Sequence, residues 1–291
     1  MTVPAPACPI CGTAASIWIA RDGRTLLRCA SCPFAWMREG VMRTHEGQSI
    51  YEAAGAIFLD GSQADYYQDE TTIDSARQKV RWVESFVPRG AALLDVGANI
   101  GLFVREAAQS YNALGIEPSA DIVRHAVERI GARLETASID DLSTRYAARF
   151  DAVTLFDVIE HLGEPAAGLK QIRDALRPGG YLFITTPDLG SLAARLAGSH
   201  WHYIDMDEHV ALFSLASLRR LLDREGFDLR QVRTIGRDYR FSYIRRRLHY
   251  LGQAGLGMRL AYLASWPLAL RPQARMHINL GDVMGIAAVR R

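Results

Sequence analysis

Short apolar runs alternate with amphipathic segments through most of the chain. Strands are predicted at ALLDVG (92–97), NALGIE (112–117), ARLETA (132–137), FDAVTLFD (150–157), GYLFITT (180–186) and FDLRQVRTIG (227–236). Apolar residues at helical spacing predict helices at 101–110, 119–130 and 165–176, and DSARQKVRWVESFV places Asp74 at the N-cap of an earlier helix. This alternation predicts a mostly parallel sheet covered on both faces, which binds ligands at the carboxyl ends of its strands.

All four cysteines lie near the start of the chain, in CPIC and CASC. The spacing C-x2-C-x17-C-x2-C is typical of a zinc ribbon in which one tetrahedral ion is held by Cys8, Cys11, Cys29 and Cys32. The segments between the two pairs predict a hairpin that turns at Asp22-Gly23. Two disulfides are the alternative, which the absence of an export signal disfavours. We expect residues 1–40 to form a structural ribbon with its own core, joined by a linker or cap, 41–73, to the domain 74–291.

Composition and charge refine this picture. The 291 residues, 49% hydrophobic and 23% charged, suffice for one large domain with appendages. No apolar stretch approaches the roughly 18 residues of a membrane span, so we expect a cytoplasmic protein. The net charge is only +2, yet the segment from Arg237 to the end carries ten arginines against two acidic residues. This local excess predicts a partner for the C-terminal segment rather than for the whole protein.

A carboxylate precedes the glycine-containing loop after the first strand of the domain. In LLDVGANIGLF the series is Asp95, Gly97, Asn99 and Gly101, and glycines allow close approach of the backbone to a ligand. Asp95 would repel the pyrophosphate of a dinucleotide but suits a ligand with an ammonium group. Glu117, at the end of the second strand, suits both hydroxyls of a ribose. These residues favour S-adenosylmethionine over a dinucleotide.

With ALRPGG before the fifth strand, residues 74–235 resemble the class I S-adenosylmethionine-dependent methyltransferases, in the group that includes quinone and sugar methyltransferases. The resemblance implies a doubly wound, mostly parallel, seven-stranded α/β sheet of Rossmann-like type. MGIAAVRR (284–291) is then the antiparallel seventh strand, and residues 237–280 are a basic insertion that we expect to be helical.

The resemblance also implies which residues bind the cofactor. The first motif corresponds to Asp95, Gly97, Asn99 and Gly101, with Asn99 where the family usually has glycine, and the second motif to Glu117. In the third motif, register with ASIDDL assigns the adenine contacts to Ser138 and Ile139, with Asp140 as the alternative to Ser138.

The reaction site is expected where the fourth strand ends, in LFDVIEHLGEP. Asp157, which also borders the cofactor, Glu160 and His161 resemble the acid-x-x-Glu-His cluster of the ubiquinone-type O-methyltransferases. That cluster can hold a divalent cation, and the spacing places these three residues on one side of a helical turn. The alternative is that Glu160 and His161 cap a helix and brace the cofactor loop.

A second histidine is expected in the acceptor pocket. His209 resembles the histidine of an EH-x-x-x-F-S element that lines this pocket in small-molecule methyltransferases. Methyl transfer from a sulfonium is an in-line displacement, so the protein mainly aligns the acceptor and removes its proton, as a histidine can do.

The resulting hypothesis is methyl transfer, foremost to oxygen, onto a small-molecule, glycan or lipid-linked acceptor. The insertion suits either a lid over the acceptor or peripheral contact with an anionic membrane at its inner face. One alternative is an rRNA or tRNA methyltransferase that binds RNA through the ribbon and arginines. The lack of an Asn/Asp-Pro-Pro-aromatic element and of a cysteine outside the ribbon disfavours it, so nucleic acid is not an expected partner. The other is a non-catalytic cofactor-binding scaffold, which the acid and histidine set disfavours.

Overall fold

The computed structural model describes residues 6–40, 70–206, 208–242, 245, 249, 260 and 262–291. The strands are β1 Ala15–Arg21, β2 Arg24–Cys29, β3 Ala35–Met37, β4 Ala92–Val96, β5 Asn112–Glu117, β6 Leu134–Thr136, β7 Phe150–Phe156, β8 Leu176–Pro187, β9 Ala211–Leu212, β10 Phe227–Thr234, β11 Arg237–Arg240, β12 Arg275–Ile278 and β13 Val283–Arg290. The helices are α1 Glu70–Glu84, α2 Leu102–Ala107, α3 Ala120–His125, α4 Leu142–Arg145, α5 Pro165–Ala175, α6 Leu192–Ala197 and α7 Leu215–Arg224.

The central sheet has seven strands in the order β10-β13-β8-β7-β4-β5-β6. Strands β4 to β8 pair in parallel, and β13 runs antiparallel to both of its neighbours. The predicted doubly wound α/β sheet is therefore confirmed, with its antiparallel last strand. The carboxyl ends of β4, β5 and β7 lie side by side, and so bring together the loops that carry the candidate site.

Alternate residues of the central strands point to opposite faces, which is why these strands are almost continuously apolar. On one face Leu93 packs in a cluster with Val83 of α1. On the other face Leu94 packs in a cluster with Leu169 of α5. Helices thus cover both faces of the sheet. No helix among the described residues has the length and apolar character needed to cross a membrane.

The first helix begins earlier than the sequence predicted. Because α1 starts at Glu70, Asp74 lies inside the helix and is not its N-cap. Its carboxylate accepts from Arg275 of β12 at 2.5 Å and lies 3.7 Å from Arg77. Asp74 therefore ties α1 to the C-terminal insertion, a partner that the local sequence does not indicate.

The ends of the insertion are strands, so the expectation of a helical segment over 237–280 was wrong for them. Strands β11 and β12 form an antiparallel ladder, which contacts α1 where Gln78 donates to Asp238 at 3.3 Å. Residues 266–270 form a 3-10 turn. Of the three consecutive arginines 245–247 in this basic insertion, Arg246 and Arg247 lie outside the described residues.

The N-terminal residues form a second sheet, in the order β1-β2-β3-β9. The predicted hairpin is confirmed: β1 and β2 are joined at Asp22 and Gly23, both with positive φ, as a type I′ turn requires. The expected separate core was wrong. Phe34 packs in the same cluster as Phe213 of the main domain, with ring centroids 5.0 Å apart. A hairpin this small cannot bury its own apolar face, and the large domain completes it.

Candidate active site

The loop after β4 has the backbone that its glycines predict. Gly97, Asn99 and Gly101 have φ of 70°, 48° and 75°. A Cβ at Gly97 would lie 2.7 Å from Val158, and one at Gly101 would lie 2.5 Å from the Cβ of Ala132. Asparagine tolerates this left-handed conformation, and the Asn99 Oδ1 accepts from the Ile100 amide at 2.7 Å. The substitution of the usual glycine by Asn99 is therefore compatible with the loop.

Asp95 is a buried carboxylate at the end of β4, only 4% exposed. The Thr154 hydroxyl donates to its Oδ1 at 2.6 Å. Burial raises the pKa of Asp95 to about 7, although the Thr154 hydrogen bond and the nearby Lys79 ammonium act in the opposite direction. A partly protonated carboxyl therefore lies beside the loop, where a cationic ligand group would favour its ionised form.

Glu117 lies at the end of β5, next to the same loop. Its Oε2 accepts from the Asn99 amide at 3.0 Å, and its Oε1 accepts from the Ser119 amide at 3.4 Å. Burial raises the pKa of Glu117 above its usual range, while the two amides oppose that shift. The amides orient the carboxylate, as recognition of a ribose diol requires.

The turn after β6 is organised by a residue that sequence reasoning did not single out. Asp141 accepts from the Ser138 amide at 2.7 Å and from the Ser138 hydroxyl at 3.2 Å. The Ser138 hydroxyl in turn accepts from the Asp140 amide at 3.2 Å. Ile139 is half-buried and Asp140 is exposed. Ser138 is thus part of a capping box, and the adenine contacts of Ser138, Ile139 and Asp140 stay a prediction.

Asp157, directly after β7, has the strained positive φ of 59°. Its carboxylate accepts from the Thr185 hydroxyl at 3.1 Å and from the Lys79 ammonium at 3.2 Å. Sequence reasoning missed Lys79, which α1 carries to the end of β7. The helical period shows which face of α1 is apolar but not which loop a lysine reaches.

Glu160, His161 and His209 come together from two segments of the chain. Glu160 is buried and accepts from the Thr186 hydroxyl at 2.9 Å. The two imidazole centroids are 5.0 Å apart. The Nδ1 of His161 lies 2.8 Å from the Glu208 carbonyl oxygen, and that of His209 lies 2.8 Å from the Tyr203 carbonyl oxygen.

These two carbonyls determine the state of the rings. A carbonyl oxygen only accepts, so Nδ1 carries the hydrogen in each ring, and in the neutral form of a ring Nε2 carries the lone pair. Burial lowers the pKa of His161 to about 4, with a smaller opposing effect of the Glu208 carbonyl. His161 is therefore neutral near pH 7.

The predicted cation cluster differs in one member. Among the described residues, Glu160, His161 and His209 offer ligand atoms within 4.8 Å of one another. Asp157 is not in this group, because the chain turns at its positive φ before the 3-10 turn Ile159–His161 and directs its carboxylate to Lys79. Two imidazoles oriented by carbonyls and one carboxylate oriented by a hydroxyl form a donor set that fits a divalent transition metal.

The four cysteines also come together. The sulfurs of Cys8 and Cys32 are 3.6 Å apart, those of Cys11 and Cys29 are 3.4 Å apart, and all four lie within 4.8 Å. A disulfide requires about 2.05 Å. A tetrahedral zinc ion with bonds of about 2.3 Å separates its sulfurs by roughly 3.8 Å. The donor set therefore fits zinc.

The sequence profile of a protein family described as "Methyltransferase domain" matches residues 72–232, more than half of the chain. A ubiquinone biosynthesis O-methyltransferase of Xanthomonas axonopodis pv. citri is 32% identical over 123 residues, which cover 40% of this chain and 52% of that protein. The chain thus spans about half the length of this curated relative. The same named enzyme of Leptothrix cholodnii is 28% identical over 170 residues, 53% of this chain and 72% of that protein.

Solved structures agree in fold. A Thermotoga maritima protein described as a possible histamine N-methyltransferase matches with a TM-score of 0.54 at 16% identity, and the match covers 83% of this chain and 100% of that chain. At this identity the likeness concerns the fold alone, which is the seven-stranded sheet described above.

Proposed function

The chain belongs to the methyltransferase domain family, and from this premise we propose that it transfers a methyl group from S-adenosylmethionine to an oxygen of a small-molecule, glycan or lipid-linked acceptor. The proposal rests on one observation: the glycine loop lies against the turn that carries Glu160 and His161. Val158, in the turn between Asp157 and Glu160, fills the space beside Gly97 of the glycine loop. The predicted methyl donor and the two histidines therefore share one end of the sheet.

Five residues are proposed to bind the methionine and ribose parts of the cofactor. They are Asp95, Gly97, Asn99, Gly101 and Glu117. The support is chemical: a buried carboxylate suits an ammonium group, glycines at positive φ allow close approach, and an oriented carboxylate suits a diol. The adenine ring would then lie at Ser138, Ile139 or Asp140, on the turn after the neighbouring β6.

His209 is proposed to ionise the acceptor. When bound, S-adenosylmethionine would supply an electrophilic methyl group for in-line attack by the acceptor oxygen, and S-adenosylhomocysteine would leave with the electron pair of the broken carbon–sulfur bond. The hydroxyl proton passes to Nε2 of His209, whose imidazolium stays hydrogen-bonded to the Tyr203 carbonyl. His161, with its pKa of about 4, is a weak base near pH 7, so we assign it to orienting the acceptor.

The same side chains support a second route to the acceptor oxyanion. A divalent cation held by Glu160, His161 and His209 would polarise the acceptor hydroxyl. His209 would then be a ligand and not the base. Loss of turnover on dialysis against EDTA while the zinc of the four cysteines is retained, with recovery on adding magnesium, would select the cation; EDTA-resistant turnover would select His209.

Two further assignments accompany the function. Zinc held by Cys8, Cys11, Cys29 and Cys32 is proposed as a structural ion, because four thiolates leave it no open position. Peripheral contact with an anionic membrane is supported by the exposed side chains of Leu263, Trp266 and Leu270 in a segment rich in arginine.

The test compares His209→Gln with His200→Gln, an exposed histidine of the same region as the matched control. Transfer of labelled methyl groups is measured to a panel of phenols, catechols, glycans and lipid-linked precursors, and calorimetry measures affinity for S-adenosylhomocysteine. We expect His209→Gln to reduce turnover by about 10²-fold or more while affinity changes less than about twofold. Wild-type turnover in His209→Gln would exclude the base. A protein that binds the cofactor product yet methylates nothing in any acceptor class would favour the scaffold.

A further inference from the structure

The loop that carries His209 is paired with the N-terminal ribbon. Directly after His209, the Val210 carbonyl accepts from the Met37 amide of β3 at 2.9 Å. Trp36 and Ala211 then pair in an antiparallel bridge, as do Ala35 and Leu212. Among the described residues, the short strand β9 is thus paired with β3 alone.

Side chains of the loop pack on the ribbon as well. Trp201 and Met206 are buried in one cluster with Leu26 and Met37 of the ribbon. Within the described part of 201–212, regular secondary structure is confined to β9. A loop with so little regular secondary structure depends on its neighbours for order, and here the ribbon is a major neighbour.

Both cysteine turns contact the elements that follow the loop. The Ser214 hydroxyl, at the N-cap of α7, donates to the Cys32 carbonyl at 3.1 Å. Arg224, in the last turn of α7, donates to the carbonyls of Pro9 and Ile10 at 2.9 and 3.1 Å. The two turns that would share one metal ion are thus attached to opposite ends of the same helix.

We propose that the four-cysteine metal site positions the acceptor side of the active site. The metal locks the two cysteine turns onto α7, the locked ribbon holds β3 against β9, and β9 fixes the backbone beside His209. The glycine loop at 97–101 is held instead by the main domain, since the Gly97 and Ala98 amides donate to the Ile116 carbonyl of β5 and Gly101 packs against Leu134 of β6. Metal loss should therefore loosen the acceptor loop and spare the cofactor loop. The catalytic consequence rests on the proposed function, whereas the change in loop order does not.

Hydrogen exchange, followed by mass spectrometry on the full chain, tests this directly. One variant, Cys8→Ser with Cys11→Ser, removes one cysteine turn from the metal. A second, Met37→Pro, keeps all four cysteines but removes the amide that pairs with Val210. Ile17→Thr is the matched control, since this ribbon side chain is 58% exposed and lies on the outer strand β1. Zinc content and affinity for S-adenosylhomocysteine are measured on each.

We expect exchange in residues 201–213 to rise at least about tenfold in both variants, exchange in 93–103 to stay unchanged, and affinity for S-adenosylhomocysteine to change less than about twofold. Met37→Pro should retain zinc, and Ile17→Thr should behave as wild type. Unchanged exchange in 201–213 after zinc loss would overturn the proposal. So would faster exchange in 201–213 and 93–103 alike, because that result would mean general unfolding. If no acceptor is ever methylated, these exchange results still decide the positioning role.

Discussion

Replacement of Asp95 by asparagine should stabilise the protein without ligand while it weakens cofactor binding. Burial raises the pKa of Asp95 from 3.8 to about 7. Asparagine keeps the shape of the side chain and an oxygen that can accept from Thr154, but it carries no charge to bury. The variant therefore separates the cost of the buried charge from the packing of the site.

The size of the stability difference, and the pH range over which it develops, follow from this raised pKa of Asp95. One tenfold change in proton affinity corresponds to about 1.4 kcal/mol, so a rise from 3.8 to about 7 corresponds to roughly 4 kcal/mol. Since the folded-state pKa is the higher one, the wild type loses this stability as pH rises from about 4 through 7. Asp95→Asn should not lose it. Its advantage should be absent near pH 4 and reach up to about 4 kcal/mol near pH 8.

Urea unfolding at several pH values measures this difference, and calorimetry measures cofactor affinity over the same range. Binding to the wild type should weaken roughly tenfold from about pH 8 to about pH 6, because the cofactor ammonium selects the ionised carboxylate. Lys79→Met should move that transition to higher pH, since the Lys79 ammonium lowers the pKa of Asp95. An Asp95→Asn variant whose stability parallels the wild type from pH 4 to pH 8 would refute the reasoning.

Two further outcomes test other features. Gly101 and Gly131 have φ of 75° and 72°, so alanine at either position should lower the free energy of unfolding by about 1–2 kcal/mol. At Gly101 the new Cβ also meets a close neighbour, so urea unfolding should show a further loss of about 1–3 kcal/mol for Gly101→Ala; equal losses would contradict the packing. Co-sedimentation with anionic but not neutral vesicles, lost at high salt, is expected if the insertion contacts a membrane; no binding at low salt would leave Leu263 and Trp266 as parts of a lid.

Features set by short stretches of sequence were predictable. The strands of the central sheet follow from their apolar runs, the hairpin turn from Asp22-Gly23, and the clustering of the cysteines from their spacing. Contacts between segments that are distant in the sequence were not predictable. Lys79 reaches Asp157 only because α1 packs at that end of the sheet, and His209 meets His161 across two loops.

The packing of the N-terminal ribbon on the main domain was the largest feature that the sequence did not predict. Strand β3 has three residues and β9 has two, too few for a period-two pattern to be recognised. Their pairing is fixed by tertiary packing around Phe34 and Phe213, and neither side chain signals it locally. The same holds for Asp74, whose partner Arg275 lies in the insertion.

The pairing of β3 with β9 also constrains how the chain folds during synthesis. The Cys32 carbonyl and its partner Ser214 are 182 residues apart in sequence. At a translation rate of about 5–20 residues per second, the ribbon waits roughly 10–40 s for the strand that covers it. Through that interval Phe34 and Met37 lack the apolar surface of the main domain, and the edge of β3 is open to other chains. The nascent N-terminus is therefore the segment where chaperone binding and aggregation would concentrate.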